Sequence, residues 1–225
     1  MTLSNRGVSL EELTGRVEWV MRRNERILKQ EGRIDPDFYF GRGPGSLLYE
    51  QRFEKLAHWM NDGHKKEVLF SMVRHTVEAA RYDCVVFASD MWGFKVNERG
   101  AHLSKEDVDQ LRDHGFKKLM ALGYGKTFEH VSVLGQTQEH VVMISKEYKR
   151  DALNPDKVFW IGPPTIRQTP SVQFGGRSKM FGDWREPGMR EAYKRVGKAI
   201  RDNDVPLIEI VDSSIVMVNI AVDEP

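Results

Sequence analysis

Aromatic, glycine and basic residues are mixed over residues 163–190, a combination typical of surfaces that hold a ligand or a partner. No helical or strand period runs through this segment, and long irregular segments in compact domains are usually binding loops, lids or linkers. Residues 38–45 repeat the mixture upstream, so we predict that the two segments form one binding surface. Its candidate binding residues are Phe40, Arg42, Phe174, Arg177, Lys179, Phe181, Trp184 and Arg185.

Basic residues are in excess at the end of this surface. Eight lysines and arginines stand against three acidic residues between Gly175 and Arg201. Cations beside exposed rings hold single-stranded nucleic acid, with phosphates on Lys or Arg and bases stacked on the rings. The same pattern fits a structural role, in which the rings anchor a long loop to the core and the following helix displays a solvated face. Both interpretations stay open at this point.

Three further residues have the chemistry for catalysis or metal binding. Asp90 follows a predicted buried strand, and His130 and His140 stand at the starts of two predicted hairpin strands. Carboxylates and imidazoles serve as metal ligands and as general acids or bases. They define an alternative function, a small metal-assisted hydrolase or transferase acting on a phosphorylated or nucleotide substrate.

The predicted hairpin register argues against a joint histidine site. If the turn lies around residues 135–138, His140 falls opposite Val133 and His130 near Met143, so the imidazoles are not directly opposed. Zinc usually needs four convergent ligands, and this hairpin offers only the two histidines. We therefore predict no metal site and no cofactor.

Residues 123–127, Gly-Tyr-Gly-Lys-Thr, resemble the end of a phosphate-binding P-loop. The first glycine of that motif is missing, because Met120 occupies its position. The residues that follow have a strand pattern, whereas a P-loop is followed by a helix whose N-terminus faces the phosphate. A helix end followed by a turn explains the segment.

The composition excludes several classes of function. The 225 residues include 34 lysines and arginines against 33 aspartates and glutamates, so no global field attracts nucleic acid or an anionic membrane. Binding to nucleic acid would therefore rest on a local patch. The single cysteine, Cys84, makes no internal disulfide, and the first residues lack the apolar core of a signal peptide. We expect a cytoplasmic protein with no membrane partner.

Helical patterns dominate residues 1–82. Ser9 and Glu12 form a capping-box pattern at the start of a helix predicted over residues 9–31. Its apolar residues are spaced like a heptad with Asn24 at one core position, which fits a coiled coil in a homo-oligomer. It also fits an amphipathic helix packed on its own domain, which we favour. Two more helices are predicted, over residues 46–60 and 64–81.

Strand patterns dominate the remainder. The run from Cys84 to Ser89 is apolar at successive positions, as in a strand buried on both faces. Further strands are predicted at 130–134, 140–145, 157–161, 207–211 and 215–222, with a helix at 188–201. This order predicts an α+β fold, a helical N-terminal layer followed by a mainly antiparallel sheet with hairpins. We predict one domain over residues 1–225, divisible into a helical region 1–82 and an α+β core 83–225.

These patterns together favour a non-enzymatic cytoplasmic binding or accessory protein. The two aromatic-glycine segments would hold its partner, either a protein or a single-stranded nucleic acid. The helix over residues 9–31 would be the contact of a homo-oligomer, if one forms.

Overall fold

The computed structural model describes residues 7–46, 48–53, 69–70, 73–74, 77, 82–98, 100–102, 104, 116–174, 180–181 and 217–222. Within these residues an N-terminal helix precedes a seven-stranded sheet in which every pair of neighbouring strands is antiparallel. The predicted α+β class is therefore confirmed.

The helices are α1 (Leu10–Glu31) and α2 (Phe116–Ala121), and short 3-10 turns occur at Gly100–His102 and Ser171–Gln173. The strands are β1 (Asp37–Gly41), β2 (Leu48–Phe53), β3 (Cys84–Val96), β4 (Gly125–Thr137), β5 (His140–Arg150), β6 (Val158–Pro170) and β7 (Met217–Val222). They lie in the order β6-β5-β4-β3-β1-β2-β7 across the sheet.

Helix α1 begins and ends where local chemistry dictates. The Ser9 hydroxyl accepts a hydrogen bond from the Glu12 amide at 3.2 Å, as the capping-box pattern predicts. Gly32 ends the helix in the left-handed conformation, with φ of 69°, and donates its amide to the Leu28 carbonyl. No helix within the described part of the chain is long and apolar enough to cross a membrane.

The apolar stripe of α1 packs on the sheet of its own chain, as we favoured from the sequence. Asn24 is fully buried in this stripe, and its amide donates to the Val20 carbonyl at 2.9 Å within the same helix. Most of the residues that a coiled coil would use are therefore covered by the sheet, whereas Leu10 and Ile27 are half-buried. The buried apolar residues of α1 are Leu13, Val17, Trp19, Val20, Met21 and Leu28.

The predictions for residues 38–60 are partly wrong. Residues 38–41 belong to β1, which lies between β2 and β3, so they are not part of an irregular loop. The predicted helix over residues 46–60 is wrong at 48–53, which form β2, and residues 54–60 lie outside the described part. Local apolar spacing failed here because pairing with β1 and β7 decides the conformation. These two strands belong to the same sheet as β3 to β6.

The predicted hairpin is confirmed, but its register is wrong. The strands β4 and β5 turn at residues 138–139, so Val133 pairs with Ile144 and His130 with Glu147. Because the turn is shorter and later than expected, each residue of β4 faces a β5 residue four positions beyond the predicted one. The predicted helix end and turn precede residue 125, but strand β4 begins at Gly125, five residues before the predicted strand, so residues 125–127 belong to the strand and not to the turn.

The prediction that residues 163–190 are irregular is wrong for 163–170, which continue β6. This segment holds three prolines, which a strand tolerates at a sheet edge, and β6 is an edge strand. A register irregularity between Ser145 and Glu147 faces the segment around Gly162, whose φ is 69°. Residues 182–216, with the predicted helix at 188–201, lie outside the described part.

The sheet carries a hydrophobic core on each face. The helix face is the side that packs against α1, and its core includes Tyr39, Val86, Val133 and Ile144. The core on the other side includes Phe38, Phe40, Leu69, Phe70, Val73, Phe87 and Met180. Leu69, Phe70, Val73 and Val77 are helical, in agreement with the predicted third helix at these positions.

Candidate functional site

The structure does not bring Asp90, His130 and His140 together. Asp90 pairs with Val131 and lies on the helix face, so the neighbouring His130 points to the other side of the sheet. His140 pairs with Pro170 at the opposite end of β5. No group of three or more His, Cys, Asp or Glu side chains suited to a metal ion occurs among the residues the structure describes.

Asp90 is held in a polar network on the helix face. The Tyr148 hydroxyl donates to Asp90 Oδ1 at 2.6 Å, and Arg150 Nη2 lies 3.5 Å from Oδ2. Burial raises the pKa of the Asp90 carboxyl, against the opposite influence of Tyr148 and Arg150. Burial and the hydrogen bond to Asp90 likewise raise the pKa of Tyr148. Asp90 therefore has internal partners on both carboxylate oxygens.

Arg150 explains what this network does. Its Nε donates to Glu129 at 2.9 Å, and its Nη2 donates to the Tyr148 hydroxyl at 3.0 Å. Its Nη1 donates to two carbonyl oxygens, that of Gly32 at the end of α1 and that of Pro155 at 3.1 Å. The guanidinium thus ties together α1, β4, β5 and the turn after β5. This arrangement is a structural clamp.

The residues predicted to bind have divergent positions. Phe40 is fully buried in the core, which corrects its placement in an exposed loop. Tyr82 packs against Phe40 with ring centroids 5.0 Å apart, and the exposed Arg42 lies over the Tyr82 ring at 5.2 Å. Phe181 packs against the same core, and Phe174 is half-buried. The remaining candidates, Arg177, Lys179, Trp184 and Arg185, lie outside the described residues.

The turn that follows β1 contains Gly43 and Gly45. It is hydrogen-bonded to α1 and to Asp83, which directly precedes β3. Arg16 Nη2 donates to the Gly43 carbonyl at 2.9 Å, while the Gly43 amide donates to Asp83 and the Gly45 amide to Glu12, each at 2.6 Å. Both glycines have positive φ, 63° and 66°, which favours residues without a side chain. The turn is therefore anchored at both glycines.

Cys84 is buried beneath this turn. The Arg16 guanidinium donates to its sulfur at 2.7 Å, and burial raises the pKa of the thiol. The expectation that Cys84 is a buried residue of a central strand is confirmed.

A different surface carries rings and cations in a partly exposed setting. It lies on strands β3 to β6, on the side of the sheet opposite the helix face. It is next to the hydrophobic core that includes Phe38 and Phe87, and we name it the open face. Alternation along each strand places its residues on one side. The open face consists of Lys95, Lys126, Phe128, His130, Glu147, Lys149, Lys157 and Phe159.

Its two phenylalanine rings each have a lysine above them. The Lys95 ammonium lies 4.7 Å from the centroid of the Phe128 ring, and that of Lys157 lies 5.2 Å from Phe159. The outer end of the Phe128 ring lies against Gly93, where an added Cβ would be 2.3 Å from Cζ. Phe159 is 46% exposed and the Lys95 side chain 50% exposed. Both cation–ring pairs are therefore accessible from solvent.

The charges of the open face are mostly positive. Its four lysines stand against Glu147, which forms an ion pair with Lys95, and against Asp151, which follows β5 and interacts electrostatically with Lys157. His130 lies beside Phe128 with ring centroids 5.1 Å apart and directly opposite Glu147. Burial lowers the pKa of His130 despite the opposing effect of Glu147, so the imidazole is neutral near neutral pH. The net charge of this surface is positive on a chain that is nearly neutral.

Sequence reasoning missed the open face. The period-2 placement of Lys126, Phe128 and His130 on β4 was the available signal. The sequence could not show that Phe159 belongs to the same surface, because only the pairing register of the strands places it near Phe128.

The comparisons with known proteins add no identification. No family model matches this chain, and no curated protein or solved structure shows a significant similarity to it. A functional assignment therefore rests on the geometry of the described residues.

Proposed function

We propose that this protein is a non-enzymatic binding protein that holds single-stranded nucleic acid on the open face. The observation that supports it is the pairing of two solvent-accessible phenylalanine rings with lysines, Lys95 with Phe128 and Lys157 with Phe159. Bases stack on such rings at about 1–3 kcal/mol per base, and lysines neutralise the phosphates. The proposal keeps the ligand class expected from the sequence and moves it to a different surface.

The first test measures fluorescence anisotropy of labelled single-stranded DNA and RNA oligonucleotides over a salt series. Replacing Lys126 and Lys149 with Ser should weaken binding and lower the salt slope by about 0.7 for each phosphate that the variant no longer neutralises. The matched control replaces Lys29, an exposed lysine of α1, and should bind as the wild type does. Absence of binding by the wild type at low salt would refute the proposal.

The basic segment predicted from the sequence is tested in the same assay. Exchanging Arg177, Lys179 and Arg185 for Ser should weaken binding without lowering the melting temperature if this segment extends the open face. A large loss of stability with unchanged affinity would indicate that the segment is structural.

A protein partner is the second candidate, and a separate observation favours it. Apolar side chains lie exposed on the second half of β3 and at the C-terminal end of α2, and exposed apolar groups of this size are typical of protein-binding surfaces. These are Trp92, Val96, Met120 and Leu122, with exposed fractions of 62%, 52%, 40% and 41%. Sedimentation of the wild type and of Trp92→Ser would test self-association through this surface. A monomer at all concentrations would remove this form of the candidate.

A metal-assisted hydrolase or transferase receives no comparable support. Its three residues are dispersed over both faces and both ends of the sheet. Elemental analysis of the purified protein tests it directly, since stoichiometric zinc, manganese or iron would revive it.

A further inference from the structure

Phe128, Lys149 and Phe159 lie in one row that crosses three strands of the open face. Glu129 pairs with Tyr148, so Phe128 and Lys149 follow at the next position of the same antiparallel pair. Lys149 pairs in turn with Phe159 on β6. The row therefore reads ring, cation, ring, in the direction perpendicular to the strands.

Resting on the proposed function, we infer that the nucleic-acid strand crosses the β-strands along this row. One base stacks on Phe128 in place of the Lys95 ammonium, and another stacks on Phe159 in place of the Lys157 ammonium. A phosphate between the two bases contacts Lys149. The site thus selects a single strand in which two bases are separated, rather than a duplex.

The spacing of the row carries the selectivity. Neighbouring strands lie about 4.8 Å apart, so two rings on β4 and β6 are separated by about 10 Å at the backbone. Bases in a duplex follow one another at about 3.4 Å along each strand. Two bases cannot remain stacked on each other and also sit on both rings. Only an unpaired strand can separate its bases in this way at modest cost.

A path along β4 is less favourable for the same ligand. Past Phe128 and His130 the strand continues to Ser132, which is only 7% exposed, and then to the second core. There Gln136 accepts a hydrogen bond from the Met180 amide at 2.9 Å, so chain from outside the sheet already occupies this face. A ligand following β4 would leave the cations within a few residues.

Charge also favours the crossing path. Lys126 is exposed on one side of the row, where it can neutralise a further phosphate, while Lys95 opposite it is ion-paired with Glu147. On the other side His130 pairs with Glu147, whose carboxylate would repel a phosphate. The backbone of the ligand therefore lies on the lysine side of the row.

The test compares binding of a ten-nucleotide oligothymidylate with that of the corresponding duplex. Phe128→Ala and Phe159→Ala should each weaken single-strand binding by about 5- to 150-fold, the range that base stacking implies. Lys149→Ser should reduce the salt slope by about 0.7. The duplex should bind to the wild type more weakly than the single strand does. Neither phenylalanine substitution should change the affinity for the duplex.

Trp92→Ala is the matched control, because this exposed aromatic residue lies on the helix face of the same sheet. It should leave the affinity unchanged.

Weak binding of Phe128→Ala with unchanged binding of Phe159→Ala would overturn the crossing path and favour a path along β4. Equal binding of the duplex and the single strand would overturn the selectivity. If the wild type binds no oligonucleotide, the proposed function fails together with this inference.

Discussion

Glu147 on β5 reaches across β4 to form an ion pair with Lys95 on β3. The same ammonium lies over the Phe128 ring, at 4.7 Å from its centroid. The Glu147 carboxylate is therefore paired with the ammonium group that a phosphate would approach. It also neutralises part of the positive charge of the open face.

Glu147→Gln should tighten binding of single-stranded oligonucleotides by about two- to fivefold, the range expected for a partly exposed ion pair. It should also steepen the salt dependence, because Lys95 becomes available to a phosphate. Anisotropy titrations at two salt concentrations measure both effects. Glu139→Gln, at the exposed turn between β4 and β5, is the control and should change little. Weaker binding by Glu147→Gln would show that Glu147 supports the site instead.

Removing the Arg150 clamp should destabilise the fold. Arg150→Met leaves the carboxylates of Glu129 and Asp90 without their cationic partner. It also removes the hydrogen bonds to the carbonyl oxygens of Gly32 and Pro155. Because Arg150 is partly exposed, we expect a loss of about 1–3 kcal/mol in the free energy of unfolding, measured by urea titration.

The control for the clamp is Arg22→Met. Arg22 forms an exposed ion pair with Glu18 on α1, with 63% and 45% of the two side chains accessible. Its replacement should cost less than about 1 kcal/mol. Equal losses for Arg150→Met and Arg22→Met would contradict the structural role of Arg150.

Asp90 should make stability depend on pH in an unusual direction. Its pKa is raised by burial in the folded chain, so the folded state binds a proton more tightly than the unfolded state does. Its contribution to the free energy of unfolding therefore falls as the pH rises from the ordinary pKa of an aspartate towards the raised value. Asp90→Asn should remove this fall, as urea titrations between pH 3.5 and pH 7, bracketing roughly this window, would show. An identical pH profile for the variant would exclude Asp90 as its cause.

Gly135 permits the close approach of α1 to the sheet. A Cβ at this position would lie 2.2 Å from Val17 Cγ2 and 3.0 Å from Leu13 Cδ1. Gly135→Ala should therefore lower the free energy of unfolding by about 1–3 kcal/mol, the usual cost of overpacking a core.

Gly15→Ala is the matched control with the opposite sign. Gly15 lies within α1, and a Cβ there would have no neighbour within 4 Å. The substitution should raise stability by about 0.5–1 kcal/mol, since alanine is the better helix former. A stabilising Gly135→Ala would show that α1 packs on the sheet less closely than the structure indicates.

Local patterns were sufficient for elements that local interactions stabilise. The start of α1 followed from Ser9 and Glu12, because a capping side chain bonds to an amide three residues away. The buried strand at Cys84 and the hairpin of β4 and β5 followed from apolar runs and strand-forming residues. Such signals depend on neighbours in the chain, which the order of residues shows directly.

Pairing between distant segments lay beyond these patterns. Residues 48–53 resemble a helix locally and become β2 because β1 and β7 supply hydrogen-bond partners on both sides. Phe40 resembles a loop aromatic and is buried because β1 enters the centre of the sheet.

The sequence by itself determined the α+β class, the N-terminal cap of α1, the buried Cys84 strand and the balance of charge. Only the tertiary structure decided which side chains share a surface. It separated Asp90 from His130 by one position on neighbouring strands, which places them on opposite faces, and it aligned Phe128 with Phe159 through β5. The reason is that strand side chains alternate between faces, so the pairing register between remote strands determines every such neighbour.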